Sequence, residues 1–128
     1  MHPRKLKVAL VSEMYLPRIG GLELHVRDLA RELNARGHEA HVICNTPGPA
    51  GYDDGVKLHR LDLPRVPILH TIRTPKSSDA LRRLFERERY DVIHTHAALL
   101  PMTHVANFVA RKLELPIVLT ECSWLGAG

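Results

Sequence analysis

Aromatic residues are scarce in this chain: one Trp, three Tyr and two Phe among 128 residues. That argues against a stacking platform for single-stranded nucleic acid, which needs rings to hold bases. There are only two cysteines, Cys44 and Cys122, so no disulfide framework organises the fold. Long apolar runs are also missing. The run over residues 8–11 is far too short for a secretion-signal core, and Glu13 follows it. No stretch is long enough to span a bilayer. A reduced, cytoplasmic setting is the expectation, with room for a peripheral place at the cytoplasmic membrane face. Neither Gly-x-Gly-x-x-Gly nor Gly-Lys-Ser/Thr occurs, so nicotinamide binding and ATP hydrolysis lose weight. No internal repeat or low-complexity tract is present.

What remains is the make-up of an ordinary globular domain. Apolar residues form 45% and charged residues 25% of a length that suits one hydrophobic core. The formal charge of +4 favours anions such as nucleotides, acidic headgroups or nucleic acid. It does not choose among them, and a solvated basic surface explains it equally well.

Residues 6–12 (LKVALVS) read as a strand buried on both faces. A loop with Pro17, Gly20 and Gly21 follows, then a helix over 22–36 with Leu22, Val26, Leu29, Ala30 and Leu33 on one stripe. Glu32 and Arg36 pair outside it, and Gly37 supplies a left-handed stop. Residues 39–44 are a second strand, 45–55 a loop rich in Pro and Gly, and 56–61 a third strand. Residues 63–75 are irregular, and Ser77 or Ser78 is expected to cap a basic helix ending near Arg89. A fourth strand covers 90–95, a helix 99–113 and a fifth strand 116–120. The alternation predicts an α/β fold: a Rossmann-like three-layer sandwich whose parallel sheet is ordered 3-2-1-4-5.

In such a sheet ligands bind at the carboxyl ends of the strands, where the strand order reverses. That point lies between the first and fourth strands. The Gly20-Gly21 loop, His94-Thr95-His96 and Thr120-Glu121-Cys122 all converge there. A glycine pair opening a helix presents free N–H groups and the positive helix end to an anion, although a plain turn reads the same way. His94 and His96 share one strand face. A metal site is one reading of His-x-His, with Cys122 as a further ligand. A neutral hydrogen-bonded role for His94, and contact with a substrate hydroxyl for His96, is the other. A Cys122–His96 nucleophile pair is a third. Cys44 and Cys122, with two strands between them in this order, would sit about 14 Å from each other, too far for a disulfide. Arg82, Arg83, Arg87 and Arg89 make the second helix basic, with Arg73 and Lys76 before it. A membrane surface or an acidic partner would suit it, and so would plain solvation. No nucleic-acid module accompanies these charges.

These residues together resemble the N-terminal domain of glycosyltransferase family 4, of the two-domain B-type fold. The matching elements are Lys7-Val8-Ala9-Leu10-Val11-Ser12 with Tyr15-x-Pro17, and Gly20-Gly21-Leu22-Glu23-x-His25-Val26. They continue through Leu29-Ala30-x-x-Leu33, Arg36-Gly37-His38-x-Ala40-His41-Val42 and Tyr90-Asp91-Val92-Ile93-His94-Thr95-His96. Within the family the chain looks most like enzymes that add N-acetylglucosamine to phosphatidylinositol in glycolipid-anchor synthesis, through His94-Thr95-His96-Ala97-Ala98 and Thr120-Glu121-Cys122-Ser123-Trp124-Leu125-Gly126.

The resemblance implies sugar transfer from a nucleotide sugar to a hydroxyl acceptor, with retention at the anomeric carbon. It implies that residues 1–128 are the acceptor-side half of the enzyme and that the C-terminal donor domain is absent. Gly20 and Gly21 would lie near the donor phosphates, and His96 would line the acceptor side. Glu23, His25, Thr95 and Glu121 complete the implied binding set, and His96 and Cys122 are the catalytic candidates. No metal and no cofactor beyond the nucleotide sugar is implied. Relatives often carry Thr-x-His where this chain has Cys122, which puts the acceptor contacts in doubt. The isolated chain is expected to be inactive. A stand-alone binding or regulatory module on the same fold is the alternative.

Overall fold

The computed structural model describes residues 4–12, 21–45, 51–53, 55–61, 63, 74–96 and 101–120. The elements are β1 (Lys7–Val11), α1 (Gly21–Ala35), β2 (Glu39–Cys44), β3 (Gly51–Asp53), β4 (Val56–Arg60), α2 (Pro75–Glu88), β5 (Val92–His96), α3 (Pro101–Lys112) and β6 (Ile117–Thr120). One six-stranded sheet runs β3-β4-β2-β1-β5-β6. Its five long strands are parallel and follow the expected 3-2-1-4-5 order. The addition is β3, which pairs antiparallel with β4 at the edge, inside the stretch read as loop. Gly55, at φ +85, makes the turn between them. A three-residue strand carries no hydrophobic period, so only the hydrogen-bond ladder reveals it.

Alternation along the strands divides the core in two. Val8 and Leu10 lie in register with Ala40 and Val42 and pack with Cys44, Val56 and Leu58 beneath Val26 and Ala30 of α1. The opposite face carries Ala9, Val11, Ile43 and Ile93. It meets Leu81, Leu84 and Phe85 of α2 and Met102, Val105, Ala106, Val109 and Ala110 of α3. Helices on both faces are what right-handed crossovers from a parallel sheet produce. Each fully buried aliphatic or aromatic side chain contributes roughly 1.5–3 kcal/mol, so these two layers hold the fold.

The helix ends follow local chemistry. Gly37 stops α1 at φ +91, and His38 N–H closes the turn on Leu33 C=O at 3.0 Å. The cap of α2 is Thr74, not Ser77 or Ser78: its hydroxyl accepts from Ser77 N–H, while Ser77 Oγ accepts from Thr74 N–H. Pro75 occupies the first helical position, where a missing N–H costs nothing. The serine nearest the expected start is therefore the reciprocal member of a capping box. The Glu32–Arg36 pair forms at 2.8 Å.

Candidate functional site

Strands β1 and β5 are neighbours, while α1 and α3 leave them on opposite faces. The order reverses between them, and in such sheets the carboxyl ends at this point are where ligands bind. Buried polar residues gather there: Ser12 ends β1, Asn45 follows β2, Thr95 and His96 end β5, and Thr103 sits in the first turn of α3. Polar groups are buried when something fixes them. Asn45 holds the chain after β4, accepting from Leu63 N–H at 2.9 Å. Thr103 Oγ1 donates to His96 C=O at 2.7 Å and ties α3 to the tip of β5. Neither stood out in the sequence, because an isolated Asn or Thr reveals no partner.

His94 and His96 lie on the α1 face, in line with Leu10. Their rings stack at 4.5 Å between centroids and 19° between planes. His94 Nε2 is 2.5 Å from Thr120 Oγ1 on β6. His96 is wholly buried, 0% exposed, and meets His25 of α1 edge to face, with ring centroids 5.9 Å apart. Its Nδ1 donates to Val11 C=O at 3.2 Å. In a neutral ring that leaves Nε2 as the lone-pair nitrogen, and among the described residues nothing donates to it.

Burial, reinforced by His94, lowers the His96 pKa from 6.5 to about 4. Burial and His25 lower that of His94. Both rings are therefore neutral acceptors at pH 7. One nitrogen of each ring is engaged, His94 Nε2 with Thr120 and His96 Nδ1 with Val11.

The other expected site residues divide as follows. Gly21 is the first residue of α1, at the helix end whose N–H groups have no intrahelical partner. His25 joins His96. Thr95 lies on the other face of the sheet, where its hydroxyl donates to Asn107 Oδ1 of α3 at 3.1 Å. Gly20, Glu121, Cys122 and the side chain of Glu23 lie outside the described residues. The basic helix is largely self-neutralised: Arg82 and Arg83 meet Asp79, Arg82 also meets Glu86, and Arg87 meets Glu88. That matches a solvated face better than a docking surface for acidic lipid. Among the described residues, no helix is long and apolar enough to cross a membrane.

The parallel α/β sheet, with buried polar residues at its switch point, defines the fold class, and sequence comparison narrows it. The glycosyl transferase 4-like domain model matches residues 20–128, and the chain belongs to that family. It is 33% identical, over 96% of its length, to a human phosphatidylinositol N-acetylglucosaminyltransferase subunit. It is 30% identical, over 97%, to the protein of the same name in Arabidopsis thaliana, and 27% identical, over 90%, to a GDP-mannose-dependent alpha-mannosyltransferase of Corynebacterium glutamicum. It spans only 26–29% of the length of these relatives. A glycosyltransferase structure from Rickettsia africae superimposes with a TM-score of 0.60 at 13% identity, over 91% of this chain and 30% of that one. The C-terminal domain of a Pyrococcus furiosus hydrogenase also reaches 0.60, at 12% identity, over 93% of this chain and 94% of that domain. At such identities these two matches speak for the fold alone.

Proposed function

We propose that this chain is the acceptor-side half of a retaining glycosyltransferase that moves a sugar from a nucleotide sugar to a hydroxyl of a phosphatidylinositol-type lipid. The observation that carries the reading is His96. It is a neutral imidazole at the switch point, oriented through Nδ1 by Val11, with Nε2 left as an acceptor. Such a nitrogen, buried and without a donor, accepts a hydrogen bond from an incoming hydroxyl that displaces what now covers it, and orients the hydroxyl oxygen. In the transfer that oxygen bonds to the anomeric carbon as the bond to the diphosphate breaks, and the hydroxyl proton leaves with the diphosphate. The amino end of α1 at Gly21 stabilises the charge developing on the leaving group. Membership of the family supports the reaction class. The names of the relatives supply the lipid and the N-acetylglucosamine, with mannose as the competing sugar.

The remaining walls of the crevice come from a donor domain in the longer protein. Val118 and Leu119 on β6, 47% and 45% exposed, suit burial by further chain. The reading places the protein at the cytoplasmic face of a membrane, held by its substrate.

The test is ligand-observed NMR of the chain with inositol phosphate headgroup analogues and with uridine and guanosine diphosphate sugars. Saturable headgroup binding that weakens at least about tenfold in His96→Asn supports the assignment. Binding that ignores the substitution removes His96 from the acceptor site. If none of the probes binds, the chain by itself is not the acceptor half.

A further inference from the structure

On the face of the sheet opposite to His96, between β2, β4 and the end of α2, lies a second polar cluster. His41 of β2 is almost wholly buried on the face packed by α2. Its Nε2 lies 2.7 Å from Glu39 Oε2, so the proton sits there and Nδ1 carries the lone pair. Around Nδ1 stand Tyr90 Oη at 2.9 Å, His59 Nε2 of β4 at 3.1 Å and Glu88 Oε1 at the end of α2 at 3.9 Å. One lone pair cannot satisfy both Tyr90 and His59. If the His59 proton sits on its other nitrogen, two imidazole lone pairs and a carboxylate face a single point.

We infer that His41 Nδ1, His59 Nε2 and a carboxylate oxygen of Glu88 form a binding site for a borderline transition-metal ion of the Zn²⁺ class. The three ligand atoms lie within 4.8 Å of one another. Tetrahedral zinc with ligands at about 2.0–2.1 Å places them roughly 3.3 Å apart, so the imidazole pair is already at that spacing and Glu88 needs only a small side-chain shift. Two nitrogens and one oxygen suit zinc and do not suit calcium or magnesium, which require oxygen shells. The Glu39 carboxylate on the far nitrogen of His41 is the outer partner that orients metal-bound histidines and raises their basicity.

Lys7 is the competing cation. Its Nζ lies 3.0 Å from Glu88 Oε1 and 3.9 Å from Glu39 Oε2, so a metal shares Glu88 with it, and the affinity is moderate in consequence. The site joins β2, β4 and the end of α2, away from the crevice. It is a staple rather than a catalytic centre.

The experiment is titration of the untagged chain with Zn²⁺ by calorimetry, with Co²⁺ as a spectroscopic probe and thermal unfolding as a second readout. The expected result is one ion per chain, tetrahedral Co²⁺ absorption and a Zn²⁺-dependent rise in Tm. His59→Ala and Glu88→Gln, checked for folding by circular dichroism, should each lower affinity at least about tenfold, which is within the effect of even an outer-partner change. His104→Ala, on the exposed face of α3, should change nothing. Absence of saturable 1:1 binding, or binding that survives His59→Ala, overturns the proposal.

Discussion

The burial of His96 has a thermodynamic consequence that needs no substrate. Its pKa falls from 6.5 to about 4, first through burial and then through the neighbouring His94, against the opposing bond to Val11 C=O. A histidine whose folded pKa is depressed binds a proton more readily when unfolded. Its contribution to stability is complete above about pH 6.5, is lost progressively as the pH falls toward 4, and stays lost below that. At about 1.4 kcal/mol per pH unit, the interval between the two values sets an upper bound of about 3 kcal/mol. Burial lowers the pKa of His41, His59 and His94 as well, so the wild-type curve alone cannot isolate the effect. The informative quantity is the difference between wild type and His96→Asn, whose amide can still donate to Val11 C=O. Urea unfolding at half-unit steps from pH 7.5 to 4 should show wild type losing about 2–3 kcal/mol more than the variant. NMR titration of the His96 ring should find it neutral down to about pH 4. Parallel curves within about 0.5 kcal/mol, or a ring that titrates near 6.5, would refute a buried neutral His96 and the acceptor role built on it.

Two further predictions test the scaffold. Phe85, buried between the sheet and Tyr90 with ring centroids 6.0 Å apart, should cost about 3–5 kcal/mol when replaced by Ala, read from the denaturant midpoint at unchanged slope. Thr74→Ala removes the acceptor for Ser77 N–H and half of the capping box, so it should cost about 0.5–2 kcal/mol. Thr74→Asp, which keeps an acceptor, should recover most of that loss in the same assay.

Much of the architecture was legible in the sequence because each element announces itself locally. Residues 6–12 are apolar on both faces because β1 is central. The stripe through Val26 and Ala30 has the helical period because only one side of α1 meets the sheet. Gly37 marked a helix stop because a left-handed residue favours glycine. The cap of α2 was not legible, since Thr74, Ser77 and Ser78 are all competent and only Pro75 at the first helical position, seen in place, selects among them. β3 was missed because an edge ladder of three residues leaves no pattern.

Element order and the switch point were already written along the chain. These follow from periodicity and the handedness of crossovers, which are properties of the backbone. What each side chain faces was settled in three dimensions alone. The pleat put His96 on the α1 side and Thr95 on the α3 side, where its hydroxyl serves Asn107. Strand register set His41 beside His59, and the end of α2 brought Glu88 to both. Sequence spacing carries no record of such encounters, because the distance between two side chains on different strands is set by register and packing, not by their separation along the chain.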